Sequence, residues 1–158
     1  MVKGYSRYKV KICWLHYHFV WYTWKNRPLL DEFMINECKK LIESKLKELK
    51  CELRLFEGYS NHIYLAIKSN PLLSPNQIIN QLRGTTSRYL REKYPLLLKK
   101  PSLWNRSYFV SSFGRHPSRE IKEYERYMNK ETKKYERLVK KRNEKIGKKR
   151  IEEYEKNN

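Results

Sequence analysis

Residues 59–68, Tyr-Ser-Asn-His-Ile-Tyr-Leu-Ala-Ile-Lys, alternate between apolar and polar positions. Ile63, Leu65 and Ile67 fall on one side, and His62, Tyr64, Ala66 and Lys68 on the other. A period of two is what a strand with one face in a core produces. Residues 7–23 are dominated by β-branched and aromatic side chains without Gly or Pro, which predicts one long, central strand. Val10, Ile12, His16, His18 and Val20 would share one of its faces. Glu52–Phe56 and Ser107–Ser112 predict two shorter strands.

Between these runs the period changes to three and four. Phe33, Met34, Cys38, Leu41, Ile42, Leu46 and Leu49 predict a helix capped by Asp31. Ile78, Ile79, Leu82, Tyr89 and Leu90 predict a second helix over about 76–93, with Ser74 as its cap and Pro75 at its first position. Gly84 sits inside that helix, either as a tolerated defect or as room for a closely approaching backbone. Lys25–Pro28 and Gly114–Pro117 read as turns, and Ser118 caps a last helix carrying Ile121, Tyr124 and Met128 on one stripe. From Asn129 onward the sequence is a Lys/Arg/Glu helix with sparse apolar residues. The order β-α-β-β-α-β-α predicts an α+β fold of the ferredoxin-like kind, an antiparallel four-stranded sheet with helices packed on it. Residues 1–128 would form the domain and 129–158 a basic helical tail. In the usual strand order of this topology the first and third strands are neighbours, which would bring His16 and His18 close to His62.

Charge changes the picture most. The chain of 158 residues has 36 Lys and Arg against 17 Asp and Glu, a formal net charge of +19. Such an excess, interleaved with aromatic residues at 14% of the chain, suits a polyanionic partner such as nucleic acid. Cys13, Cys38 and Cys51 form no Cys-x-x-Cys pair, which argues against a zinc knuckle and for a reducing compartment. The most apolar stretch, Cys13–Trp24, holds two histidines and is too short for a membrane span, so an intracellular, cytoplasmic protein is expected.

Candidate chemistry gathers at five places: His18-Phe19-Val20-Trp21, His62-Ile63-Tyr64-Leu65, Arg83-Gly84-Thr85-Thr86-Ser87-Arg88, Leu103-Trp104-Asn105-Arg106-Ser107-Tyr108-Phe109, and a tyrosine in the last helix. In this order and with these gaps, residues 8–131 resemble the single-tyrosine transposases of the HUH class, the insertion-sequence-two-hundred-like family. The resemblance implies an enzyme that cuts and rejoins single-stranded DNA at hairpins through a 5′-phosphotyrosine intermediate. It implies a divalent metal, Mg or Mn, held by two histidines of one strand and a polar residue of the tyrosine helix. It also implies a homodimer.

Carried over residue by residue, His62 matches the first metal histidine and Tyr64 stands where the second belongs. Asn61 stands where the family commonly has Asp. Tyr124 matches the nucleophile, and Met128 then occupies the third-ligand position. In a second frame Tyr127 is the nucleophile and Glu131 the third ligand. His16 or His18 could supply a replacement imidazole from the neighbouring strand, or both could be structural. Arg83, Arg88 and Arg91 can neutralise DNA phosphates. A relative that binds hairpins without cutting is the alternative, and a basic ferredoxin-like RNA-binding domain a third.

Overall fold

The structure is a computed structural model that describes residues 6–8, 11–112 and 118–156. The turn expected at Gly114–Pro117 lies outside the described residues. Its elements are β1 (Ser6–Tyr8), β2 (Lys11–Cys13), β3 (His16–Tyr22), α1 (Glu32–Glu48), β4 (Glu52–Gly58), β5 (His62–Lys68), α2 (Pro75–Lys93), β6 (Phe109–Ser111) and α3 (Ser118–Lys156). The chain forms two compact units, residues 1–121 and 122–158.

In the first unit a four-stranded antiparallel sheet runs in the order β4-β5-β3-β6. The expected sheet with β3 and β5 at its centre is therefore present. The single strand expected over 7–23 is not. Ser6, Arg7 and Tyr8 pair back on Cys13, Ile12 and Lys11 as a separate two-stranded ribbon, and β3 starts only at His16. The reason lies in the partner strand. His16 pairs with Lys68, and beyond Lys68 the chain turns into the loop at Asn70-Pro71, so the ladder has no further partner. The Leu15 carbonyl instead accepts the Ser69 N–H at 2.7 Å.

Phe19, Trp21, Ile63, Leu65 and Ile67 project from β3 and β5 into the core, where they meet Cys38, Ile42 and Leu46 of α1 and Ile78, Ile79, Leu82 and Leu90 of α2. Full burial of each large apolar side chain contributes about 1.5–3 kcal/mol, so this layer holds the sheet to its helices. Asp31 caps α1 by accepting the Met34 N–H at 2.8 Å. Phe33 does not join the core and is 78% exposed. It precedes Ile35 by two residues, about 200° round the helix from the stripe of Ile35, Cys38, Ile42 and Leu46. Ser74 and Gln77 close a capping box at the start of α2. Tyr89, expected in the core, is exposed, and Thr86 takes a buried place on α2. Gly58 ends β4 where a Cβ would collide with the Ile35 side chain, so α1 approaches the sheet through this position.

The second unit consists of the remainder of α3. This helix of 39 residues, about 58 Å long, passes residue 129 without a break. Tyr127, Tyr135, Leu138 and Ile146 are exposed along it. No helix among the described residues is long and apolar enough to cross a membrane.

Candidate active site

The antiparallel register decides which polar groups meet on the second face of the sheet. His62 lies opposite Tyr22, Tyr64 opposite Val20, Ala66 opposite His18, and Lys68 opposite His16. His18 is therefore four pairs away from the His62 position, about 13 Å along the strand, and His16 farther still. The expected closeness of His16 and His18 to His62 does not occur, because strands that run in opposite directions bring the start of one to the end of the other.

His62 is stacked instead between two tyrosines. Its ring centroid is 4.9 Å from Tyr22, with 23° between the planes, and 4.4 Å from Tyr59, with 13° between the planes. The turn joining β4 to β5 brings Tyr59 there, since its N–H donates to the His62 carbonyl at 2.9 Å. His62 Nδ1 and Asn61 Oδ1 are 2.7 Å apart. Tyr59 also donates its hydroxyl to Glu57 at 3.2 Å.

Tyr64 is buried, with 3% of its surface exposed. Its hydroxyl and His18 Nδ1 share a hydrogen bond of 2.7 Å, and the two rings lie 6.0 Å apart and nearly parallel. Burial pushes the Tyr64 phenol up to about 12, and the Glu57 carboxylate on β4 adds to the shift. At neutral pH this side chain is a neutral phenol. A hard divalent ion would meet one imidazole and a neutral, hydrogen-bonded phenol where the resemblance implies two imidazoles, and phenols of this kind are poor ligands. Among the described residues no three His, Cys, Asp or Glu side chains come together as a metal site. One imidazole and a neutral, hydrogen-bonded phenol on β5 differ from the two imidazoles that the resemblance implies, and in this respect the residues do not fit.

On α3, Tyr124 and Met128 stand one turn apart, as do Tyr127 and Glu131. Tyr127 is 54% exposed. The Met128 carbonyl accepts the Thr132 hydroxyl at 2.9 Å.

The basic residues of α2 divide. Arg83 donates to the carbonyls of Asn105 and Arg106, the latter at 3.0 Å. Arg91 donates to the Lys100 carbonyl at 3.1 Å. Both hold the segment 100–106 against the helix. Arg88 is exposed. On the far side of the same segment, the Asn105 side chain accepts the Lys25 N–H at 3.4 Å and donates to Asn26 at 3.3 Å. Lys25 and Asn26 adopt left-handed backbone angles in this turn. Three cations converge on the neighbouring indole of Trp24: Lys25 at 4.2 Å, Lys100 at 5.4 Å and Arg27 at 6.0 Å from its centroid.

Between α2 and the segment 102–106 lies a cleft of about 380 Å³. Asn80, Gly84 and Ser87 line it from the helix, with Arg83 beside them, and Ser102, Trp104 and Arg106 from the segment. Trp104 donates its indole N–H to Thr86 at 3.1 Å and meets Trp21 edge-to-face at 5.9 Å, so this wall is anchored in the core. A Cβ at Gly84 would meet nothing within 4 Å among the described residues. Packing does not require glycine there, although glycine in a helix costs about 1 kcal/mol relative to alanine.

Tyr22, Tyr59 and Glu57 are parts of these sites that the sequence reading did not single out. Tyr59 is signalled only by its nearness to His62 across a short turn. The others are revealed by strand register alone.

A four-stranded antiparallel sheet in the order β4-β5-β3-β6 with two helices on one face places the chain in the class of ferredoxin-like α+β proteins. The family described as IS200-like transposase matches residues 11–130, and the chain belongs to that family. The fold is similar to the crystal structure of a candidate transposase from Deinococcus radiodurans R1, with a TM-score of 0.72 and 22% identity over 78% of this chain and 97% of that one. It is also similar to a REP-associated tyrosine transposase bound to a REP hairpin, with a TM-score of 0.50 and 9% identity over 78% of this chain and 68% of that one. No curated protein compared with the chain matches it.

Proposed function

We propose that this member of the transposase family binds single-stranded DNA hairpins as a homodimer, and that strand cleavage is impaired at its metal position. The observation that carries this reading is the Tyr64–His18 hydrogen bond of 2.7 Å, which occupies the place of the second metal histidine. Binding is supported by the family itself, by the hairpin held by one similar structure, and by the net charge of +19. The homodimer rests on the family resemblance.

A second reading is favoured by the tyrosines that α3 carries within the matched region. In it the protein is a transposase that cuts and rejoins DNA with Mg or Mn. The Tyr124 oxygen attacks a phosphodiester phosphorus, the P–O3′ bond breaks, and the proton lost by the phenol is balanced by the one gained at the 3′-hydroxyl. The tyrosine is left with a 5′-phosphotyrosine bond, and the reverse step rejoins the strand.

Incubation with a labelled single-stranded hairpin in Mg or Mn, followed by a denaturing gel, separates the two. Tight hairpin binding without a covalent adduct is the expected result. An adduct with the wild-type chain would overturn impairment and leave the second reading, with Tyr124→Phe and Tyr127→Phe then deciding the nucleophile. Under the first reading Tyr64→His gains adduct formation. Equal, weak binding to duplex and hairpin would remove hairpin recognition altogether.

A further inference from the structure

We propose that the cleft between α2 and residues 102–106 receives the phosphodiester backbone of the bound DNA, with Gly84 as its floor and Arg106 as its cation. The inference rests on the hairpin-binding reading and assigns it a surface. Three observations carry it. Asn80, Gly84 and Ser87 recur at spacings of four and three, so they form one continuous helical face. Ser102, Trp104 and Arg106 line the cleft from the facing segment and give it a second wall. Gly84 leaves open space that no described side chain uses, in a helix that would otherwise favour almost any other residue. Glycine on an exposed helical face is explained when another backbone must come close.

The chemistry suits a phosphate chain. Asn80, Ser87 and Ser102 supply neutral hydrogen-bonding groups, and Arg106 supplies an exposed guanidinium. Arg83 acts as a positioning residue. By holding the carbonyls of Asn105 and Arg106, it fixes the segment from which the Arg106 side chain extends. Asn105 ties the same segment to the turn at residues 25–26, where Lys25, Arg27 and Lys100 surround Trp24. A strand leaving the cleft across residues 102–106 would meet these cations next.

The test uses the full chain and a fluorescein-labelled DNA hairpin with a single-stranded 5′ extension, followed by anisotropy over a range of salt. Gly84→Leu is expected to weaken binding at least tenfold while the melting temperature stays equal or rises by about 3 °C, because leucine favours the helix. Arg106→Gln is expected to weaken binding about fivefold and to lower the salt slope by about one. Wild-type binding that both substitutions leave unchanged would overturn the cleft and leave the hairpin reading standing. A wild-type chain that binds no hairpin would overturn both. If Gly84→Leu lowers the melting temperature, Arg106→Gln alone decides.

Discussion

The two faces of β5 are one residue apart in sequence and differ in what holds them. Ile63, Leu65 and Ile67 face the helices and are fully buried among apolar side chains of α1 and α2. His62 and Tyr64 face the other way and are held by rings and directional bonds: Tyr22 and Tyr59 against His62, and His18 against Tyr64. The first face depends on volume and shape, and tolerates best an apolar occupant of similar volume. The second depends on register, since one pair's shift would give every ring a different neighbour. The helix-facing layer is joined by apolar packing, and the other face by ring contacts and directional bonds.

Substitutions along one strand can break this comparison. Leu65→Ala should have the largest effect, a loss of about 3 kcal/mol in chemical denaturation, from lost transfer energy and the cavity left behind. A loss below 1 kcal/mol would mean the helix-facing layer is not the dominant core. Tyr64→Phe, the adjacent residue on the opposite face, should cost only about 1 kcal/mol, because it removes one hydrogen bond and keeps the ring. It should also move the His18 ring resonances in NMR, because the hydroxyl bonded to Nδ1 is gone, while Leu65→Ala should leave them in place. Equal losses for the two variants would erase the distinction between the faces.

The smallest effect concerns pH. Burial lowers the His16 imidazole below its ordinary 6.5, with the charges of Arg54 and Lys68 and the nearby His18 lowering it further and Glu52 opposing them. A depressed value means that the folded protein prefers the neutral ring. The corresponding stability is present above pH 6.5 and is lost as pH falls through 6.5 toward the folded value. Melting temperatures at pH 7.5 and pH 5 should therefore converge slightly in His16→Gln compared with the wild type. An unchanged difference would show that other groups govern the acid side.

Much of the fold is legible where the local pattern and the tertiary environment agree. Asp31 and the Ser74–Gln77 box mark helix starts that the structure contains, because a cap satisfies backbone donors within a few residues of itself. The alternation at 62–68 reads correctly for the same reason, since strand geometry alone separates its faces. The run from 7 to 23 misleads. Its residue types suit a strand throughout, yet where the strand ends is set by its partner at Lys68, which lies more than forty residues downstream. Arg83 and Arg91 show a similar limit: their charge is plain in the sequence, while the carbonyls of 100–106 that they hold belong to a distant segment.

By itself the sequence determines the element order, the apolar layer between sheet and helices, the basic character, and the family-like succession of motifs. These follow from short-range periodicity and from composition. The tertiary structure alone decides that His18, rather than a second strand histidine, meets position 64, that two tyrosines enclose His62, and that Gly84 opens onto a basic cleft. Each of those depends on which distant residues the antiparallel register and the packing of segment 100–106 bring within a few ångströms, and no local pattern encodes that distance.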